Sequence, residues 1–160
     1  MVRAGHIKVR IADAPFDPHA EARSFAETFG GAGAIVTFLG QVRDEGGSVE
    51  ALSLEHYPGF TEERIQKAAA DACHRWPLDG ALVIHRIGRL TPGEPIVFVA
   101  AASAHRRAAF EAVDFLMDYL KCDAPFWKLE VSERGRRWIE PRAEDYEDKA
   151  RWKANEPAES

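Results

Sequence analysis

Apolar and charged residues alternate from His6 to Asp13, with Ile7, Val9 and Ile11 on one side, the period of a half-buried strand. Asp17 followed by Pro18 predicts a capped helix start, and Ala22, Phe25, Ala26 and Phe29 recur on one face of that helix. Gly30-Gly31-Ala32-Gly33 ends it. This glycine cluster leaves a helix and enters a strand, the reverse of the context in which a dinucleotide-binding loop works. Two strands are predicted next, Ala34 to Arg43 and Val49 to Tyr57, joined by Asp44-Glu45-Gly46-Gly47-Ser48 as a hairpin connection or flexible loop. After the Tyr57-Pro58-Gly59 turn, Ile65, Ala68, Ala69, Ala72, Cys73 and Trp76 follow helical spacing until Pro77. Ala81 to Gly88 and Ile96 to Ala102 are apolar strands separated by the turn Thr91-Pro92-Gly93-Glu94, and the second is continuous enough to be covered on both faces.

Ser103 is the expected cap of a long helix whose buried stripe is Ala109, Val113, Leu116 and Leu120. Phe126 to Val131 and Arg136 to Glu140 are predicted to pair around Glu133-Arg134-Gly135. From Pro141 the chain turns polar, with a possible exposed helix over 143–154 and a disordered tail over 155–160. The order β, α, β, β, α, β, β, α, β, β predicts an α+β fold, a largely antiparallel sheet with helices over one face and an extra C-terminal hairpin. A single catalytic domain is expected over 1–140, including hairpin 126–140, followed by a polar, partly disordered segment over 141–160.

One junction concentrates chemistry. Pro125 excludes Ala124 from the α region and forces the long helix to stop, so Lys121 falls in its last turn and Lys128 three residues beyond the proline. In a strand, Phe126, Lys128 and Glu130 share one face. Trp127, Leu129 and Val131 share the other, which is expected to be the core face. Two lysines brought together from consecutive elements repel, which lowers a pKa and suits a base, a nucleophile or an anion site. Plainer roles stand beside that one: Lys121 complements the helix dipole, and Lys128 is an ordinary charge on an edge strand.

A second junction is the start of the same helix, where His105, Arg106 and Arg107 oppose the dipole. Free N–H groups and cations at one helix start fit an anion, phosphate most plausibly, although contact with acidic neighbours or solvent also explains them. Arg43 sits at the end of its strand, either as a loop charge or as a third cation of an anion site.

Composition narrows the classes. Across 160 residues the formal net charge is −5, so no global basic field recruits nucleic acid, and a local basic cluster stands out. No apolar run reaches the ~20 residues of a membrane span, and the N-terminus lacks an apolar leader, so a cytoplasmic protein is expected. The two cysteines, Cys73 and Cys122, lack metal spacing and form no disulfide framework. No metal-ligand set or cofactor motif is visible, and no cofactor is expected. The residues alone reach a compact anionic substrate handled by lysines.

Five short motifs carry a resemblance: Gly40-Gln41-Val42-Arg43, Leu54-Glu55-His56-Tyr57-Pro58-Gly59, Ile84-His85-Arg86-Ile87-Gly88, Ser103-Ala104-His105-Arg106, and Lys121-Cys122-Asp123-Ala124-Pro125-Phe126-Trp127-Lys128. In that order, over roughly residues 33 to 140, the chain resembles the catalytic large subunit of molybdopterin synthase, the MoaE family. The resemblance implies an α/β-hammerhead fold and a homodimer. It also implies a heterotetramer with two copies of a small ubiquitin-like sulfur carrier ending in Gly-Gly. The carrier's thiocarboxylate would pass sulfur twice to cyclic pyranopterin monophosphate, opening its cyclic phosphate and forming the dithiolene of molybdopterin.

Carried onto this chain, Lys121 and Lys128 match the family's essential lysines, and Arg43, His105 and Arg106 match its phosphate and pterin contacts. Glu130 stands beside Lys128 as in the family. Gln41 and Leu129 replace residues that are often basic in the family, so they, with Val42, are expected to line the pocket through their backbones. A thiocarboxylate is itself nucleophilic, so such a site needs charge neutralisation, proton transfer and alignment rather than a reactive cysteine. The alternative from another class is a non-catalytic module that binds a phosphorylated metabolite in the same basic pocket.

Overall fold

The computed structural model describes residues 5–153. The alternating segment is β1 (His6–Ala12), and Asp17 caps α1 (Pro18–Thr28) by accepting from the His19 and Ala20 N–H groups. Then follow β2 (Ala34–Gln41), β3 (Val49–His56), α2 (Phe60–Arg75), β4 (Leu78–Arg86), β5 (Gly88–Leu90), β6 (Pro95–Ser103), α3 (Arg106–Cys122), β7 (Phe126–Ser132), β8 (Gly135–Ile139) and α4 (Ala143–Ala150). The predicted strands and helices form within a few residues of their expected limits. The three-residue β5 is additional, too short for a periodicity to register.

The strands build two sheets, ordered β1-β4-β6-β2 and β5-β3-β7-β8. All pairs are antiparallel except β1 with β4. The α+β class with largely antiparallel sheets is therefore as expected, and the β7–β8 hairpin forms. The expected β2–β3 hairpin does not. β2 pairs along its length with β6, its register shifting at Gly40/Gln41, and β3 pairs with β5 and β7 in the other sheet. The Asp44–Ser48 loop thus carries the chain between sheets. Gly33 lets β2 start close to the β6–α3 corner, because a Cβ there would lie 2.1 Å from the Ala104 carbonyl oxygen.

Helices cover both faces of the first sheet rather than one. Val83, Val99 and Ala101 belong to a core shared with α2 and α3, while Leu82, Ile84, Phe98 and Ala100 meet Phe25 of α1. Strands β4 and β6 are apolar on both sides, so each face requires cover. A smaller core of Val42, Val49, Leu52, Leu54 and Leu90 lies under the second sheet.

Two local expectations are corrected. Ser103 does not cap α3. It ends β6 between Ala34 and Leu78, fully buried, and its hydroxyl donates to the Pro77 carbonyl at 2.9 Å. With that hydroxyl committed to the sheet, His105 becomes the N-cap and makes no side-chain capping bond. On β7, Trp127, Leu129 and Val131 do not face the core. Trp127 is 38% exposed and lies against the Tyr57 ring with centroids 4.1 Å apart. Lys128 is opposite Leu54 and Ile139, so the lysine-bearing face is the one turned toward the smaller core.

Past Pro141 the chain returns to the body. Trp152 is 9% exposed between the Trp76 and Phe115 rings, its Nε1–H donating to Asp118 at 2.6 Å, and Arg151 pairs with Asp114 and Asp118. Lys149 reaches Asp123 at 2.6 Å. The expected disordered tail, 155–160, lies outside the described residues. Among the described residues no helix is long and apolar enough to cross a membrane.

Candidate active site

The α3–β7 junction is pinned from several directions. Helix α3 ends with the Asp123 and Ala124 N–H groups on the Tyr119 carbonyl, and Phe126 N–H donates back to Ala124. Thr61 at the start of α2, fully buried, donates its hydroxyl to the Pro125 carbonyl at 3.0 Å and accepts the Tyr57 N–H. The break that Pro125 imposes is thus clamped to a second helix, which fixes the angle at which β7 leaves α3.

That angle brings Lys121 and Lys128 to one cavity of about 560 Å³. Its walls come from the end of β2, the end of α3, β7, β8 and the start of α4, with Gln41, Val42, Arg43 and Glu130 among them. Val42 is buried and held by backbone bonds to Glu94 and Gly93, which anchors the base of the Arg43 side chain, 76% exposed.

The charges inside sort themselves. Arg43 pairs with Glu45 at 3.3 Å, Arg137 with Glu130 at 3.6 Å, and Arg142 with Asp145 at 3.6 Å. Among the described residues, Lys121 and Lys128 have neither an ion-pair partner nor a hydrogen bond. The cavity therefore offers two ammonium groups with free donors. Burial first, and then the Lys121 charge, push the Lys128 ammonium down to about 8, with Asp145 acting against them. Near neutral pH Lys128 can thus both hold and release a proton.

Behind the cavity wall, His85 stacks on Phe126 with ring centroids 4.0 Å apart and planes 19° off parallel. Burial and the Lys128 charge drive it down to about 3, so it is neutral, and its Nδ1–H donates to the Arg86 carbonyl at 2.8 Å. A neutral ring there adds no third cation to the lysine pair. Cys122 also reaches the cavity, but burial and the Asp123 charge raise its thiol, which makes it a poor nucleophile.

Three expected site residues are not in this cavity. Leu129 is on the opposite face of β7, paired with Ser53 and Trp138. Its alternation with Lys128 requires this. His105 and Arg106 begin α3, fifteen residues before Lys121 in the case of Arg106, and at 1.5 Å per residue that is about 22 Å away. Conversely, Arg137, Arg142, Asp145 and Tyr146 line the cavity without having been expected. Hairpin register offered a signal for Arg137, since a tight turn at Arg134-Gly135 sets it across from Glu130. The α4 residues sit in a segment whose polarity reads as solvent-exposed and gave none.

A family model described as MoaE protein matches residues 11–123. The chain belongs to the MoaE family. Among its relatives, a molybdopterin synthase catalytic subunit of Cereibacter sphaeroides is 53% identical over 91% of this chain and all of its own length. Its counterpart from Escherichia coli is 55% identical over 75% of this chain and 81% of its own. Among solved structures, the MoaE protein of Burkholderia ambifaria superposes with a TM-score of 0.76 at 42% identity, covering 93% of this chain and 98% of that one. A molybdopterin synthase from Staphylococcus aureus reaches 0.70 at 29% identity over 81% and 94% of the two chains.

Proposed function

We propose that this protein is the catalytic subunit of a molybdopterin synthase, a sulfurtransferase of molybdenum cofactor biosynthesis working in the cytoplasm. It takes sulfur from the C-terminal thiocarboxylate of a small ubiquitin-like carrier and places it on cyclic pyranopterin monophosphate. The observation that carries this reading is the pair of unpartnered lysines in one cavity of a MoaE-family chain. A thiocarboxylate tail and a phosphate both bring negative charge, and two ammonium groups without internal partners answer both. Lys128, balanced near neutral pH, is placed to move a proton as the cyclic phosphate opens, while Lys121 neutralises the developing charge. Arg43, Arg137 and Arg142 line the same cavity, and their fork geometry suits phosphate oxygens. Gln41, Val42 and Glu130 shape the walls. A Gly-Gly end brings no side chains with it, so such a tail can enter the cavity as backbone alone. The catalytic unit extends through Trp152, because α4 supplies part of the wall.

His105 and Arg106 act in this scheme through a homodimer, which with two carriers forms a heterotetramer. At about 22 Å from Lys121 along α3, they serve a cavity other than their own chain's, and a second copy presents its α3 start to the first. Incubating the protein with thiocarboxylated carrier and the pyranopterin should yield dithiolene. No product with a carrier whose C-terminal thiocarboxylate is intact by mass would leave the alternative, a metabolite-binding module. Mixing Lys121→Ala and Arg106→Ala chains tests the shared site: mixed dimers regain one complete cavity and part of the activity, whereas sites built within single chains regain none.

A further inference from the structure

We propose that Asp145 is a positioning residue of this site: it holds Arg142 at the cavity rim and supplies the counter-charge that the two lysines lack. The inference rests on the reading of the cavity as the reaction site. Its motive is a contrast between neighbours. At the start of α4, Glu144 is 77% exposed, whereas the Asp145 side chain is 12% exposed and lines the cavity. Both its oxygens are used on one residue. Oδ2 accepts the Arg142 backbone N–H at 2.8 Å, and Oδ1 faces the Arg142 guanidinium at 3.6 Å. The first contact closes the helix start. The second, too long for a hydrogen bond, orients the guanidinium while leaving its N–H groups free for an anion.

The same carboxylate acts on the lysines. Burial alone would raise the Asp145 carboxyl, yet the Arg142 N–H, the Lys121 charge and the Arg142 guanidinium together hold it below the usual range, so it stays ionised. Its charge in turn favours the Lys128 ammonium. The other charges around Lys128 are Lys121 of α3, Glu130 on its own strand, Arg137 across on β8, Glu140 beyond it, and the Arg43–Glu45 pair after β2, with neutral His85 behind. Arg43, Arg137 and Arg142 have their own carboxylates, and Asp145 is the acid that bears on both an arginine and the lysines. Without it, Arg142 would keep only the exposed Glu144, 3.8 Å away, and Lys128 would be less able to stay charged.

Asp145→Asn is the test, since asparagine retains an acceptor for the Arg142 N–H and removes the charge. With 13C-lysine-labelled protein, the Lys128 Cε signal, assigned by its loss in Lys128→Arg, is followed against pH. Its midpoint should move to lower pH by about half a unit, the scale of one partly screened charge. In the synthase assay kcat/KM should fall about 5- to 20-fold, mostly through KM, and Asp145→Glu should restore part of it. An unmoved or upward-moved Lys128 midpoint overturns the proposal, and so does a downward shift with kcat/KM unchanged. The titration needs no turnover, so an inactive parent protein would count against the sulfur-transfer reading while the Lys128 midpoint still judged the role of Asp145. If Asp145→Asn does not fold, Asp145→Ser keeps a capping acceptor and carries the same expectations.

Discussion

Replacing Lys128 by methionine should make the protein more stable while removing its function. Lys128 titrates near 8 in the folded chain against an ordinary 10.5, chiefly because burial penalises its charge and Lys121 repels it. A base with a lowered folded-state pKa releases its proton earlier in the folded than in the unfolded chain. Between about pH 8 and 10.5 the unfolded state binds more protons, so this group's contribution to stability rises with pH across that window. Below pH 8 the full cost of the buried charge is present. At about 1.4 kcal/mol per pH unit, the gap from 10.5 to about 8 corresponds to about 3 kcal/mol at pH 7. Partial solvent access at the cavity reduces it to roughly 2–3 kcal/mol. Methionine keeps the length and fills the same wall without the charge. Urea melts of parent and Lys128→Met at pH 7 should differ by that amount in favour of the variant, and the difference should shrink as pH approaches 10.5. A variant no more stable at pH 7, or a gap that does not change with pH, would refute the reasoning. The same variant should give little or no dithiolene, which separates a residue kept for chemistry from one kept for the fold.

Lys121→Ala should cost about 10²- to 10⁴-fold in rate if Lys121 handles charge or a proton in the transition state, measured by single-turnover dithiolene formation. Parental rates in a folded variant would return Lys121 to a helix-dipole role worth less than about 1 kcal/mol. Arg106→Ala should weaken pyranopterin binding by about 1.5–3 kcal/mol, read by calorimetry, with thermal stability unchanged because Arg106 is exposed at the helix start. Trp152→Ala should lower stability by about 3–5 kcal/mol and also raise KM, since the Trp152 contacts with Trp76, Phe115 and Asp118 hold the chain end on which α4 and its cavity residues depend.

Local pattern determined a good deal of this molecule. The alternation at β1, the Asp17-Pro18 cap, the helical stripe of α3 and the Pro125 break are short-range steric and burial effects, and the elements appear close to where those effects place them. The shared face of Lys128 and Glu130 follows from the pleat, and the nearness of Lys121 from the break. Which face looks inward was decided by tertiary structure. Leu52, Leu54 and Ile139 meet β7 from the lysine side, and no property of β7 itself records its neighbours. Strand partners were likewise non-local: β2 and β3, adjacent in sequence, separate into different sheets, where β2 pairs with β6 and β3 with β5 and β7. Ser103 lost its cap role to a sheet contact with Pro77. The α4 wall depended on Trp152 finding an aromatic slot between α2 and α3, a long-range contact that drags a polar segment into the site. Periodicity reports on a residue's own element, whereas a cavity is made by the elements that happen to close around it, so the lysine pair was legible in the chain and the carboxylate beside it was not.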